Sequence, residues 1–171
     1  MSKVAPISGT GSSEERRNER RRRVLLFGRL SDLTGAKTVE CAISNVSPTG
    51  AQVRLYAEHA LGERVYLIDA KTHSAHLAAI IWRRGDRLGL HFIETYDLER
   101  EIPERIAFLK GLFIETKLRQ IALLEAKGFT REEALEAIGA TLMLFERWRR
   151  VARSSAENVE VLRHLESLPD G

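Results

Sequence analysis

Residues 64–93 read RVYLIDAKTHSAHLAAIIWRRGDRLGLHFI, and the fold class follows from this stretch. It contains three apolar segments rich in β-branched residues, each short enough to be a strand: RVYLIDA (64–70), AHLAAIIWR (75–83) and RLGLHFI (87–93). Arg84-Gly85-Asp86 joins the last two and is typical of a tight hairpin. We therefore expect three consecutive short strands here.

Three more strands are predicted upstream. VLLFGRL (24–30) forms the first, the alternating residues 39–43 the second, and residues 51–55 the third. The stretch SNVSPTG (44–50) contains Asn, Ser, Pro and Gly, which predicts a loop between strands two and three. Six short antiparallel strands in about 70 residues favour a small closed barrel, because closure removes the exposed edge strands.

The pattern becomes helical after Tyr96. We expect four helices, beginning after Pro103, at Thr130, at about residue 141 and after Ser154/Ser155, and covering residues 104–126, 130–139, 141–153 and 156–168. Gly128 is the predicted C-cap of the first helix, and Thr130 with Glu133 forms a capping box. The predicted fold class is therefore α+β: a six-stranded antiparallel β-barrel followed by an α-helical C-terminal region.

Composition restricts the class of protein. The 171 residues (19.3 kDa) are 43% hydrophobic and 30% charged, which is typical of a soluble globular chain of one domain or one domain with an appendage. The longest apolar runs are too short to span a bilayer, and residues 1–15 lack a signal-peptide core, so we expect a cytoplasmic protein. The single cysteine, Cys41, excludes an internal disulfide and a cysteine-based zinc site.

The positive charge is concentrated at the N-terminus. Residues 1–30 contain eight basic residues against three acidic ones, whereas the remainder carries 19 basic and 21 acidic residues. Most of the arginines lie in ERRNERRRR (15–23). Guanidinium groups suit phosphate because they donate two parallel hydrogen bonds and keep their charge. A solvated charged segment with no ligand is the alternative interpretation.

Two motifs occur in order on this predicted all-β frame. The first is an R-x-x-x-R pair, Arg17 and Arg21, and the second is Asn45-Val46-Ser47-Pro48-Thr49-Gly50, which matches [D/N]-x-S-x-x-G. Together with IIWRRGDRLGLHF (80–92), they make residues 15 to about 95 resemble the PilZ domain family. The resemblance implies a PilZ-like six-stranded barrel that binds cyclic di-GMP as a ligand. From the residue patterns we expect no cofactor, no metal and no enzymatic activity. The implied layout is a disordered segment 1–14, a PilZ-like barrel with its arginine arm at 15–96, and a helical extension at 97–171.

The resemblance also assigns roles to residues. Arg17 and Arg21 would contact phosphate and the guanine Hoogsteen edge, which arginine can bind bidentately. Asn45 would face a guanine Watson–Crick edge, the Ser47 hydroxyl would bind phosphate or base, and Gly50 would permit close backbone approach or a positive φ.

Alternatives remain for both motifs. Arg16 and Arg20 fit the same spacing, and Arg16, Arg20 and Arg22 are secondary candidates for ligand contact. Asn45 and Ser47 could instead only close a turn through side-chain hydrogen bonds. Trp82 is interpreted as packing on the barrel, and contact of the neighbouring Arg83 or Arg84 with the ligand is the less favoured alternative.

Two further sets of residues show no catalytic or metal-binding pattern. The histidines lack metal-ligand spacing, and His73 and His76 are interpreted as surface residues. Neither a Ser-His-Asp order nor a nucleophile elbow can be assembled.

The helical region allows two functions. Residues 127–150 have the rhythm of a helix-turn-helix, with Gly139 in the turn and Phe145 and Trp148 as anchors, so a nucleic-acid-binding regulator is the alternative function. The positions that would read bases are apolar, however, and offer no hydrogen bonds. We therefore expect the helices to pack on the barrel, or to bind a protein partner or a second copy, with DNA and membranes not expected as partners.

Overall fold

The computed structural model describes residues 27–166, with side chains described as far as residue 155. Six strands come first along the chain: β1 (Phe27–Ser31), β2 (Thr38–Ser47), β3 (Gly50–Leu55), β4 (Arg64–Asp69), β5 (Ser74–Arg84) and β6 (Arg87–Asp97). A 3₁₀ turn at Glu104–Ile106 leads into three helices, α1 (Phe108–Ala126), α2 (Arg131–Ala137) and α3 (Leu142–Glu166). The predicted α+β class is therefore confirmed.

The strands form a closed antiparallel barrel in the order β1-β2-β3-β6-β5-β4. Closure comes from pairing of β1 with β4, in which Gly28 lies opposite Asp69 and Leu30 opposite Leu67. Closure gives every strand a hydrogen-bonded neighbour on both sides, as we expected for six short antiparallel strands. Alternate residues fill the interior with small and branched side chains, among them Leu30, Val53 and Leu88.

A second apolar core lies between the outside of the barrel and the helices. Tyr66 and Ile68 of β4 point into it, while Val65 and Leu67 point into the barrel. This explains why β4 is continuously apolar: both of its faces are buried. The helices contribute most of the remaining members, including Leu109, Phe113, Ile121, Leu124, Phe145 and Trp148.

Ion pairs fix α1 on the barrel at the edge of this core. Arg29 of β1 contacts Glu115 of α1 at 3.0 Å and Glu40 of β2 at 3.7 Å, and Arg119 of α1 contacts Glu40 at 3.2 Å. Lys117 of α1 is 1% exposed, and its Nζ lies 3.5 Å from the Ile138 carbonyl at the end of α2. Burial lowers the pKa of Lys117 to about 8.

The helix termini follow the sequence signals. The Thr130 hydroxyl accepts from the Glu133 backbone N–H at 3.2 Å, and the Glu133 carboxylate accepts from the Thr130 N–H at 2.8 Å, so the predicted capping box is confirmed. Gly128 and Gly139 both have positive φ after helices, as C-terminal glycines do.

Two boundary predictions were wrong, and a third falls on residues that the structure does not describe. The predicted loop 44–50 is only the two-residue turn Pro48-Thr49, because β2 continues through Ser47 and β3 begins at Gly50. β6 extends to Asp97 instead of ending at residue 93, since its last residues pair with the beginning of β5. The first predicted strand began at residue 24, and residues 24–26 lie outside the described residues.

Two further predictions were wrong in the second half of the molecule. Ser154 and Ser155 do not cap a new helix, because α3 is continuous from Leu142 to Glu166 and its interior residues keep their i to i−4 hydrogen bonds. His76 is buried rather than on the surface: its ring stacks on Phe92 at 4.0 Å between centroids, and Nδ1 lies 2.8 Å from the Thr95 hydroxyl. Burial lowers the pKa of His76, which favours the neutral ring.

Candidate ligand-binding site

Two irregularities in the strands decide which side chains face outwards. In β2, the register with β3 shifts between Ile43 and Asn45, so Ser44 is an extra residue. In β5, the register with β6 shifts between Ile80 and Trp82, so Ile81 is an extra residue. Because an inserted residue reverses the alternation, Asn45 and Trp82 point to the outside instead of into the barrel.

The outward residues line up across four neighbouring strands. Asn45 of β2 lies opposite Gln52 of β3, Gln52 opposite Gly89 of β6, and Gly89 opposite Trp82 of β5. We name these four residues the central row. Ser47, Gly50 and His91 are paired in the same way and form the adjacent row. The structure therefore brings the motif residues Asn45, Ser47 and Gly50 together on one face.

Gly89 seats the indole of Trp82. A Cβ at this position would lie 2.0 Å from Trp82 Nε1 and 2.3 Å from Cε2, so only glycine admits the ring here. The Trp82 side chain is consequently half-buried on the outer surface. It packs on the barrel as the sequence predicted, but on the outside and beside the motif residues.

Gly50 permits a close approach within the barrel wall. A Cβ on Gly50 would lie 2.3 Å from the Leu90 carbonyl oxygen of β6. Its φ is not in the left-handed region, so of the two roles predicted for this glycine the structure supports close approach, and the neighbour is the protein's own backbone.

A shallow cavity of about 210 Å³ lies over these rows. Its lining combines polar side chains with an aromatic wall and two glycines: Asn45, Ser47, Gly50, Ala51, Gln52, Ile81, Trp82, Gly89 and Leu90. Small-molecule pockets are usually about 300–1,000 Å³, so this cavity has the size for part of a ligand, such as one planar base.

Three arginines border the central row. Arg54 of β3 lies opposite Arg87 of β6, and Arg87 lies opposite Arg84 of β5; we name these the arginine row. Like charges directly opposite one another destabilise a sheet, so the three arginines favour the binding of an anion that offsets their repulsion. Asp86 offsets one charge, since the Arg54 Nε donates to its carboxylate at 2.7 Å, and that hydrogen bond lowers the pKa of Asp86. Arg84 lies 5.8 Å from the Trp82 ring centroid.

The motif side chains differ in their present hydrogen bonds. The Ser47 hydroxyl contacts the Gly50 carbonyl at 3.3 Å and the Thr49 N–H at 3.4 Å, long bonds of the turn-closing kind. Among the described residues the Asn45 amide makes no hydrogen bond, so its polar edge faces the cavity unpaired. The predicted arginines Arg16, Arg17, Arg20, Arg21 and Arg22 lie outside the described residues.

Sequence reasoning missed Gln52, Gly89 and His91, as well as Arg54 and Arg87 of the arginine row. Gln52 and Arg54 were visible only as the polar half of an alternating strand, and nothing local distinguishes them from other surface residues. A tryptophan and a glycine seven positions apart on either side of a predicted hairpin were the one available signal for the Trp82–Gly89 pair.

Comparison with known families gives a match to the PilZ domain model over residues 15–108. Neither the curated proteins nor the solved structures gave a match. Within residues 27–166, no helix combines the length and apolar character needed to cross a bilayer. Among residues 27–155, whose side chains are described, we find no cluster of His, Cys, Asp or Glu that could hold a metal ion.

Proposed function

The chain belongs to the PilZ domain family, whose domains are cyclic di-GMP receptors rather than enzymes, and we propose that it holds this ligand between its outer-face rows and its arginine-rich segment 15–23. The observation that carries the proposal is the placement of Asn45, Ser47 and Trp82 around one open cavity beside the arginine row. The absence of enzymatic activity and the cytoplasmic location remain predictions.

The chemistry of the surface fits the two parts of the ligand. Cyclic di-GMP presents guanine faces, which stack on aromatic rings, and phosphates, which bind guanidinium groups. The Trp82 indole supplies a stacking surface, and the unpaired Asn45 amide supplies both donors and an acceptor for a guanine edge. The arginine row lies two residues along the strands from the central row, so it supplies positive charge beside the stacking surface and the amide.

Chain geometry allows the arginine pair to reach this face. β1 begins at Phe27, opposite Ala42, and Asn45 is three positions further along β2, or about 10 Å. Arg21 precedes Phe27 by six residues, which span up to about 20 Å when extended. We propose that Arg17 and Arg21 form the wall that the shallow cavity lacks, with Arg16, Arg20 and Arg22 as secondary contacts.

Calorimetric titration with cyclic di-GMP tests the proposal, with GTP as a non-cognate nucleotide. We expect Arg17→Ala/Arg21→Ala to weaken binding by more than 100-fold, because two charge-assisted contacts are each worth about 1.5–3 kcal/mol. Asn45→Ala should weaken binding by about 10- to 100-fold. Arg16→Ala/Arg20→Ala removes the same charge and decides the register of the motif.

A second arginine pair provides a matched control. Arg147 and Arg150 are exposed on α3 and do not line the cavity over the central row. Arg147→Ala/Arg150→Ala lowers the net charge by the same two units as Arg17→Ala/Arg21→Ala. If this control weakened binding as much as Arg17→Ala/Arg21→Ala, the effect would be one of overall charge and the proposed clamp would be rejected. Unchanged affinity in Asn45→Ala and Ser47→Ala would likewise reject the site.

We propose that the helical region 97–171 carries the output, as a surface for a protein partner or a second copy. The ion pairs from Arg29 and Glu40 to α1 support this, since they join the helices to the two strands nearest the arginine-rich segment. The predicted domain boundaries at residues 14/15 and 96/97 remain part of this proposal.

The alternative of nucleic-acid binding stays a prediction. α2 and α3 are joined through Gly139 in the manner of a helix-turn-helix, but Leu142 and Met143, exposed at the start of α3, present no hydrogen-bonding groups to base edges. Duplex affinity that falls steeply with salt and survives Asn45→Ala would favour this function over the receptor.

A further inference from the structure

A second cavity, of about 820 Å³, lies on the outer face of the barrel on the far side of the arginine row. We name it the Tyr56 cavity. Its lining comes from β2, from the end of β3 and from the hairpin between β5 and β6, and includes Ala42, Ser44, Arg54, Tyr56 and Asp86. It shares no lining residue with the cavity over the central row, so it is a separate site.

Tyr56 forms an aromatic platform in this cavity. Its side chain is 60% exposed, although it is a large aromatic residue. The ring stacks on the buried Phe27, with centroids 6.3 Å apart and planes inclined by 21°. The Tyr56 backbone N–H donates to the Glu40 carbonyl at 3.1 Å, which fixes its position beside β2. A ring supported by a second ring and still exposed to solvent is suited to stack on a nucleobase.

Asp86 supplies a hydrogen-bonding group beside this platform. Its carbonyl accepts from the Leu55 N–H at 2.7 Å, which places the residue next to Tyr56. The exposed carboxylate accepts from Arg54 Nε at 2.7 Å, and this bond lowers the pKa of Asp86, so the group is ionised and only accepts. The Watson–Crick edge of guanine presents two adjacent donors, whereas that of adenine presents one donor and one acceptor. The carboxylate therefore favours guanine over adenine.

The arginine row lies between the two cavities. Gln52, Arg54 and Tyr56 are successive outward residues along β3 and its continuation, so the backbone at Tyr56 is about 13 Å from that at Gln52, with Arg54 midway. The Arg54 side chain is exposed, and its bond to Asp86 uses one of five N–H donors, so the others can meet a phosphate. The outer face thus presents an aromatic ring, then arginines, then a second aromatic ring.

We propose that the Tyr56 cavity binds the second guanine of cyclic di-GMP while the first lies over the central row. An extended cyclic dinucleotide carries its two bases on opposite sides of the phosphate-containing ring, which is the order of groups on this face. Tyr56 stacks on the base, Asp86 accepts from its Watson–Crick edge, and Arg54 contacts a phosphate. This inference rests on the proposed function, because it concerns the same ligand, but it uses no residue before Phe27.

Calorimetric titration of the full chain with cyclic di-GMP tests the platform. Tyr56→Ala should weaken binding by about 5- to 150-fold, the range for loss of one base–aromatic stack, and Tyr56→Phe should bind as the wild type does. Leu33→Ala is the matched control, because Leu33 is also an exposed large apolar residue and lines neither cavity. Circular dichroism checks that each variant is folded. Wild-type affinity in Tyr56→Ala, together with a loss in Asn45→Ala, overturns this inference and leaves the proposed function intact.

A second ligand tests the selectivity assigned to Asp86. Cyclic GMP-AMP replaces one guanine by adenine and carries the same charge as cyclic di-GMP, so a change in the net charge of the protein cancels in the ratio of the two affinities. The wild type should bind cyclic GMP-AMP about 5- to 150-fold more weakly. Asp86→Asn should bring the ratio close to one, because an amide both donates and accepts, whereas Glu101→Gln, at an exposed position, should keep the wild-type ratio.

Two results would overturn the assignment of Asp86: equal binding of the two ligands by the wild type, or an unchanged ratio in Asp86→Asn. A wild type that binds no cyclic di-GMP rejects the proposed function together with this inference.

Discussion

Replacing Gly89 by alanine should displace Trp82 from the face of the barrel. The new Cβ would lie 2.0–2.5 Å from three atoms of the indole, Nε1, Cε2 and Cδ1, and no ordinary contact is that short. The β6 backbone is held by β3 on one side and β5 on the other, so the half-buried side chain must move instead.

The size of the effect follows from what the indole is proposed to do. Stacking of one base on an aromatic side chain is worth about 1–3 kcal/mol, which corresponds to about a 5- to 150-fold loss of cyclic di-GMP affinity. The free energy of unfolding should change by less than about 1 kcal/mol, because the lost indole contact is offset by the lower chain entropy of alanine.

Two measurements on one sample separate these effects. Calorimetry gives the affinity, and tryptophan fluorescence reports whether Trp82 moves, since the other tryptophan, Trp148, is buried in the helical core. Wild-type fluorescence should change on addition of ligand, and Gly89→Ala should show a weaker change.

Gly62→Ala is the control, because a Cβ there meets nothing within 4 Å and its φ is not in the left-handed region. Wild-type affinity in Gly89→Ala, with Trp82 shown to have moved, would refute a stacking role for the indole.

Three other substitutions probe the framework. Gly50→Ala should destabilise the barrel by about 1–3 kcal/mol in urea unfolding, because its Cβ would meet the Leu90 backbone carbonyl at 2.3 Å and backbone cannot swing aside. Wild-type stability would contradict this. Lys117 has a folded pKa of about 8 against 10.5 unfolded, so the unfolded state binds more protons between these values and stability rises with pH by up to about 3 kcal/mol. Lys117→Met should remove that rise, and Lys127→Met, at an exposed position, should retain it. Thr130→Ala removes the capping-box acceptor and should cost about 1 kcal/mol in the same assay, whereas Thr130→Ser should cost little.

Much of the molecule could be predicted because the relevant signals are local. Alternation of apolar residues or short apolar runs identified all six strands, and turn residues such as Arg84-Gly85-Asp86 separated them. Thr130 and Glu133 marked the beginning of α2, since a capping box involves residues only three apart. The order of the two motifs indicated the family that the comparison confirmed.

Local signals failed where the usual preference of a residue type differs from the environment that the folded chain gives that residue. Ser47 and Pro48 are typical loop residues, yet β2 continues to Ser47 because Gly50 provides a cross-strand partner. Ser154 and Ser155 are typical caps, yet α3 passes through them. His76 is polar, but the stacked Phe92 and the Thr95 hydroxyl provide a buried environment for it.

The sequence alone therefore determined the kind of elements, their order, and the presence of an Asn-x-Ser-x-x-Gly motif beside an arginine-rich segment. Only the tertiary structure decided that Asn45 and Trp82 share a face. That outcome depends on single extra residues at Ser44 and Ile81, each of which reverses the direction of the side chains that follow. An extra residue exists only relative to a paired strand, so it is a property of cross-strand register and not of the local sequence.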